Sequence, residues 1–285
     1  MIAAMSFRKA VVTAASPAES HLPLQTLVDP EGVSRPALEI LFDDLFAAGL
    51  ESAAVVILPG TRDAYLRAAG PHADRLTLIE QTAPRGYGHA VWTARDYTGD
   101  DAFVLLVGDH LFLSRRETSC VGQLLAVAEK HDGCVSGVQP THESQLRLYG
   151  TIGGRRVPAS PSIIEVATMV EKPTPTLAEQ ELFISGLRAG NYYCFFGIHA
   201  LTPAVMEKLD RGVAALAEGE TLGLTATLAA IARSEKYLAV EIDGQRFNIG
   251  ERYGLLRAQL SLALAGPHRE EILTMLIEIT ANSRP

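Results

Sequence analysis

The sequence predicts an α/β protein built on a doubly wound, mostly parallel mixed sheet. Three observations predict it. Short apolar runs alternate with longer segments of helical period, the β-α-β order that gives a parallel sheet with helices on both faces. Runs such as AFVLLV (102–107) are apolar without a break, as strands buried on both faces are. Polar, glycine-containing segments follow several of these runs, where ligands bind in such sheets.

The elements follow in order. Residues 9–15 (KAVVTAA) read as a buried strand rich in Val and Ala. In 35–48, Leu38, Leu41, Phe42, Leu45 and Phe46 recur at spacings of three and four, an amphipathic helix with Gly49 just past its end. Residues 52–58 predict a strand, 61–69 a short helix, 76–81 a strand, 88–97 a helix and 102–107 a strand ending in Gly108-Asp109. Then come a helix at 121–130, a strand at 133–138, a polar stretch at 139–147, and a segment at 148–154. Residues 158–162 are the best candidate for an irregular insertion, and 163–172 read as strand then loop. A helix is expected at 179–187, a strand at 192–198 (YYCFFGI), and helices at 202–209, 224–234 and 252–264, with a strand at 238–242. A last helix covers 269–281. No repeat or linker divides the chain, so one domain is expected over 1–265. The segment 266–285 is expected to be a helical appendage, apolar enough at Ile272, Leu273, Met275, Leu276, Ile277 and Ile279 to pack on a partner.

Composition narrows the function. The chain has 285 residues, with 25 Lys and Arg against 33 Asp and Glu, a net charge of −8. A nucleic-acid backbone needs a basic face, so no nucleic-acid partner is expected; a small phosphorylated ligand needs only a few local donors. The three cysteines, Cys120, Cys134 and Cys194, show no paired spacing, which fits a reducing compartment. MIAAMSFRKA lacks the order of a signal peptide, and no apolar run reaches ~18–20 residues. A cytoplasmic protein with no membrane partner is the expectation.

Four segments can carry chemistry. EQTAPRGYGHAV (80–91) joins a strand to a helix; Gly86 and Gly88 let backbone approach a ligand at the helix's positive end. LLVGDHLF (105–112) places Asp109 after a buried strand, where a carboxylate can hold a divalent cation near phosphates. VEKP (170–173) offers Glu171 to hydroxyls and Lys172 to phosphate. DGQRFNIGER (243–252) places Asn248 and Gly250 between a strand and a helix. Each also has a plain reading as a turn, a cap or a solvated loop pair, and pattern alone leaves both open.

Their joint order is more telling. EQTAPRGYGHAV, LLVGDHLF, LYGTIGG, VEKP, NYYCFFGIHAL, the LTATL helix and FNIGERYGLLRA together resemble the sugar-1-phosphate nucleotidyltransferases, in particular the bacterial UTP–glucose-1-phosphate uridylyltransferases. The resemblance runs from Lys9 through Gln259. It implies a Rossmann-like nucleotidyltransferase fold and Mg2+-dependent transfer of UMP from UTP to a sugar 1-phosphate, glucose 1-phosphate above all, giving a UDP-sugar and pyrophosphate. It implies Asp109 and Lys172 as catalytic residues, and a metal at Asp109 and Asn248. Ala14, Ala15, Gln81, Gly86 and Gly88 would lie on the nucleotide, and Tyr149, Gly150, Glu171 and Asn191 on the sugar. It also implies a homo-oligomer.

The chain departs from that pattern at one place above all. The family's first loop has the form AAGxGTRxLPxTKxxPKxxLP; here the stretch is AASPAESHLPLQTLVD. Ala14, Ala15, Leu22 and Pro23 match, Ser16, Ala18 and Ser20 replace Gly, Gly and Arg, and both lysines are missing. Asn248 and Ala226 stand where the family has Asp. His21, Arg35, Arg85 and Arg252 are the cations available to replace the lost donors. Two readings follow: a divergent uridylyltransferase, or a non-catalytic relative that binds a nucleotide sugar or regulates an active paralogue. A third is a changed reaction on a sugar phosphate with no triphosphate donor.

Overall fold

The computed structural model describes residues 5–283; the first four residues of MIAAMSFRKA and the last two of the 266–285 segment lie outside them. The chain opens with strand β1 (Lys9–Thr13), a hairpin of β2 (Thr26–Val28) and β3 (Ser34–Pro36), and helix α1 (Ala37–Ala47). Next come β4 (Ser52–Ile57), α2 (Arg62–Ala68), β5 (Leu76–Glu80), α3 (Tyr87–Thr93), α4 (Arg95–Thr98), β6 (Phe103–Val107) and β7 (His110–Ser114). The middle holds α5 (Cys120–Ala128), β8 (Val135–His142), β9 (Gly150–Val157), β10 (Ser160–Glu171), α6 (Pro175–Glu181) and β11 (Asn191–Leu201). The end holds α7 (Pro203–Ala215), α8 (Leu224–Ser234), β12 (Leu238–Glu241), β13 (Gly244–Asn248), α9 (Gly254–Ala265) and α10 (Arg269–Asn282).

Nine strands form one sheet in the order β5-β4-β1-β6-β11-β8-β12-β10-β9. β5, β4, β1 and β6 are mutually parallel, β11 and β10 run against their neighbours, and β12 returns to the direction of β8. This is the mostly parallel mixed sheet the alternation predicts. Side-chain alternation sends the two faces of each strand into two cores. Val12, Val55, Val104 and Leu106 pack with α1, α2 and α5 on one face. Val11, Val56, Phe103 and Leu105 pack with α3, α7 and α8 on the other. Strands buried on both sides need apolar residues at every position, which is why AFVLLV shows no alternation.

Several elements differ from the sequence reading. The segment 158–162 is no irregular insertion: β9 and β10 form a hairpin across a turn at Pro158 and Ala159, and β10 stays a strand through Glu171. The polar stretch 139–147 splits, its first part extending β8 to His142 and the rest forming a 3-10 turn at Glu143–Leu148. The helix expected at 179–187 instead starts at Pro175, with the Thr174 hydroxyl accepting from the Leu177 amide, and ends at Glu181; cap and Pro-at-N1 chemistry decided it. The segments after Gly108 and before Asn248 pair as an antiparallel ribbon, β7 with β13, placing His110 opposite Asn248. A small core of Leu111, Phe247, Ile249, Ala258 and Leu262 fastens this ribbon to α9.

Candidate active site

A cleft of about 620 Å³ opens beyond the carboxyl ends of β1, β5 and β6. Ala14, Ala15, Gln81, Gly86, Asp109, Tyr149, Gly150, Glu171, Lys172 and Asn248 all line it. Gly88 and Asn191 do not. The Gly88 amide donates to the Leu222 carbonyl at 2.8 Å, so this glycine seals the loop 82–88 against 221–223. Asn191 lies beside His142 and Gly186 in a separate cavity, its amide on the Ala189 carbonyl.

Asp109 is set by the ribbon. Its carbonyl accepts from the Ile249 amide at 2.9 Å, next to Asn248, while its Oδ1 lies 2.9 Å from His110 Nδ1. Burial opposes ionisation of Asp109, but the charge and hydrogen bond of His110 outweigh it and hold the carboxyl below its usual range. Asn248 Oδ1 accepts from the Gly250 amide at 2.9 Å, which fixes the amide's orientation. Hard divalent cations are held in such sites by one or two carboxylates plus substrate phosphates. An ionised Asp109 beside a neutral amide oxygen therefore fits a Mg2+ ion carried in with a nucleotide.

On the opposite wall, Glu171 Oε2 accepts from the Thr225 hydroxyl at 2.5 Å. α8 presents Leu224, Thr225 and Leu228 to the cleft; Ala226 is exposed and does not line it. Lys172 sits in the left-handed region (φ 49°), one of two non-glycine residues to do so among those described, with its amide on the Tyr149 carbonyl at 3.2 Å. A long side chain held in that region is strained, and the strain fixes where the ammonium starts. Gln81 is buried and donates from Nε2 to His89 Nδ1 at 2.7 Å. Burial, aided by Arg85, lowers the His89 pKa, so this imidazole is the neutral acceptor the contact needs. Tyr87 also lines the cleft; its buried hydroxyl makes no hydrogen bond within the described chain, and burial, with Asp109 and Glu171, pushes its pKa up.

The loop after β1 closes on itself. The amides of Glu19 and Ser20 both donate to the Ser16 carbonyl, and the Tyr65 hydroxyl clamps the Ser20 carbonyl at 2.6 Å. None of the four candidate replacement cations lines the cleft. Arg35 is spent on Asp29, Glu39 and Asp43, and Arg85 donates to the Leu216 and Ala217 carbonyls. Arg252 lies over the Tyr253 ring, and His21 stays exposed. Among the described residues, Lys172 is the only Lys or Arg on the cleft wall, against Glu19, Asp109 and Glu171.

Sequence reasoning missed His110 beside Asp109, Thr225 beside Glu171, and Arg246. Arg246, buried on β13, stacks 3.5 Å from the Tyr149 ring and donates to the Thr141 hydroxyl, while Tyr149 donates to Glu251 at 2.6 Å. It holds Tyr149 in place on the cleft wall. The period of two from Arg246 to Asn248 was the signal, hidden because 243–252 reads as a loop.

Comparisons with known proteins bear on the family and the fold. The nucleotidyl transferase family model matches residues 27–263, beginning near the end of the altered stretch 14–29. A UTP–glucose-1-phosphate uridylyltransferase of Bacillus subtilis, YngB, is 27% identical over 95% of both chains. One from Streptococcus pneumoniae is 25% identical over 95% of this chain and 96% of its own. Two solved structures share the fold. A UDP-glucose pyrophosphorylase complexed with UDP-glucose has a TM-score of 0.73 and 20% identity, covering 90% of this chain and 98% of its own. A UTP-bound pyrophosphorylase from Acinetobacter baumannii has a TM-score of 0.74 and 20% identity, covering 96% and 100%. With the family model spanning most of its length, the chain belongs to the nucleotidyl transferase family.

Proposed function

We propose that the protein transfers UMP from UTP to a sugar 1-phosphate, glucose 1-phosphate in the first instance, forming a UDP-sugar and pyrophosphate. One observation carries the reading: Asp109 and the adjacent pair Glu171 and Lys172, from two distant segments of the chain, meet in one cleft at the strand ends. The names of the relatives support the donor and the acceptor. A sugar-phosphate oxygen attacks the α-phosphorus in line, and the protein's task is to position the groups and balance charge. Lys172 binds the reacting phosphates, and Glu171, held by Thr225, accepts from sugar hydroxyls beside Tyr149 and Gly150. Gln81 and the backbone at Ala14, Ala15 and Gly86 hold uracil and ribose. Asp109 and Asn248 would hold Mg2+, which neutralises phosphate charge when bound. Gly88 acts by holding the nucleotide loop closed; Asn191, outside the cleft, receives no role.

The reading includes a cytoplasmic location, suited to three buried unpaired cysteines. It also includes self-association through the 266–285 segment, with an active paralogue as the alternative partner. Ligand binding without turnover is a second reading, favoured by Lys172 being the single Lys or Arg on the cleft wall among the described residues. Incubation with UTP, Mg2+ and glucose 1-phosphate, followed by pyrophosphate release, decides between them. Turnover is expected. No turnover with any nucleotide or sugar, while UDP-glucose still binds by calorimetry, would establish the second reading.

A further inference from the structure

The cleft has a titratable group on its floor. His199, on β11, lines the cleft, yet only 3% of the residue is exposed. Between Phe195 and His199, β11 advances four residues while β8 advances two, a bulge that contains Gly197 at φ +93°. Bulges re-aim side chains next to active sites, and Gly197 lines the cleft as well. The His199 ring meets the Phe195 ring edge-on, with centroids 5.0 Å apart. A carbon added to Gly150 would lie 2.6 Å from that Phe195 ring and 3.0 Å from Glu171 Oε2. His199 is therefore one ring away from the Glu171 side of the cleft.

The protons around His199 have one arrangement that satisfies them all. The buried Tyr237 hydroxyl lies 2.7 Å from Ser136 Oγ, which lies 2.7 Å from His199 Nδ1. Ser136 is the only partner of the Tyr237 hydroxyl among the described residues, so the phenol donates to Ser136. The single serine proton then goes to His199 Nδ1. Nδ1 is thus an acceptor, and burial keeps the ring neutral, so the ring proton sits on Nε2. Nε2 has no partner among the described residues. Nor is it one of their fully buried partnerless atoms, which belong to Asp44, Tyr87 and Arg246. Nε2–H is a neutral donor open to the cleft that its residue lines.

We infer that His199 is a specificity residue, whose Nε2–H donates to an acceptor oxygen of the bound sugar at the floor of the cleft. The inference rests on the sugar-nucleotide reading above. Glu171 takes a proton from a sugar hydroxyl and His199 gives one to a sugar oxygen, so the pair asks for oxygens at two places. A site that hydrogen-bonds a substrate oxygen rejects the analogue without it, because its buried donor is left unpaired.

The test is calorimetric titration of UDP-glucose, and of UDP as the ligand without sugar, into the parent, His199→Phe and His199→Gln. His199→Phe should weaken UDP-glucose binding about tenfold or more and leave UDP binding unchanged. His199→Gln, whose amide nitrogen can take the place of Nε2, should bind UDP-glucose more tightly than His199→Phe does. An equal effect of His199→Phe on both ligands, or no effect on either, overturns the inference. A second measurement needs no substitution and decides the matter if His199→Phe does not fold. Nitrogen-15 NMR of the parent should show His199 protonated on Nε2, with a signal that moves on addition of UDP-glucose but not of UDP. A proton on Nδ1, or the same response to both ligands, overturns the inference, as does a parent that binds no UDP-glucose. His199-dependent sugar binding without pyrophosphate release would leave the inference standing and remove the proposed reaction; turnover with His199-independent binding would do the reverse.

Discussion

Lys172 is the only Lys or Arg among the described residues of the cleft wall, so its loss should be felt in full. A hydrogen bond to a charged group contributes about 1.5–3 kcal/mol. Lys172→Ala is therefore expected to lower kcat/KM by roughly 10- to 150-fold, with an unchanged melting curve because the residue is exposed. Steady-state kinetics beside a thermal melt check both halves. His199 makes a different prediction. It is buried, with Nδ1 2.7 Å from the Ser136 hydroxyl, and burial lowers its pKa to about 4. The unfolded chain takes up this proton near pH 6.5 and the folded chain only near 4, so stability is lost as pH falls through that window. Asp44 works the other way: burial raises its pKa to about 6, so the folded form gains stability as pH falls from 6 toward the ordinary carboxylate value. Replacing His199 by Gln should thus flatten or reverse the acid loss. Between pH 7 and 5 the difference in slope should amount to about 2 kcal/mol, measured by denaturant unfolding at both values.

At the scale of elements, the site depends on turns that hold strands in register. Gly254 begins α9 where a side-chain carbon would lie 1.9 Å from the Asn248 carbonyl, so helix and ribbon meet with no room for a methyl. Gly254→Ala should push α9 away from β13, costing about 1–3 kcal/mol and lowering Tm by several degrees, with a parallel loss of cation affinity as Asn248 shifts. Gly86 serves α3 in the same way. Its φ of +95° opens the helix, and a side chain there would meet the Leu222 carbonyl at 2.7 Å. The GYGHA signature was legible as strand-to-helix punctuation, but the partner that makes its glycines necessary lies more than 130 residues on. The ribbon of β7 and β13 was not legible at all. Each half is a five-residue segment next to turn signals, and only pairing with the other half makes it a strand.

For the whole molecule, the proposed self-association lies with the surface of α10. No residue of this helix is buried, and Met275, Ile277 and Ile279 are 42%, 68% and 56% exposed. Self-association through this helix, as proposed above, would take such apolar residues out of water. Light scattering should therefore show a species larger than 30.6 kDa. Removal of 267–285 should reduce it to a monomer that keeps the secondary structure of the main body, since the described α10 residues contribute nothing to its core. A monomeric full-length chain would end the association proposal.

The alternation of strands and helices, their apolar faces and the order of the motifs were determined by the sequence itself. Local periodicity and propensity act within ten or so residues, and the sheet's two cores only collect what that pattern supplies. Asp109, Glu171, Lys172 and Gln81 were legible because each follows, or ends, a recognisable strand. The tertiary structure decided what those residues face. It spent Arg35 on three acids, gave Gly88 to Leu222, left Asn191 outside and set Arg246 behind Tyr149. These are contacts between positions far apart in the chain, chosen by packing and register, and no window along the sequence contains both partners.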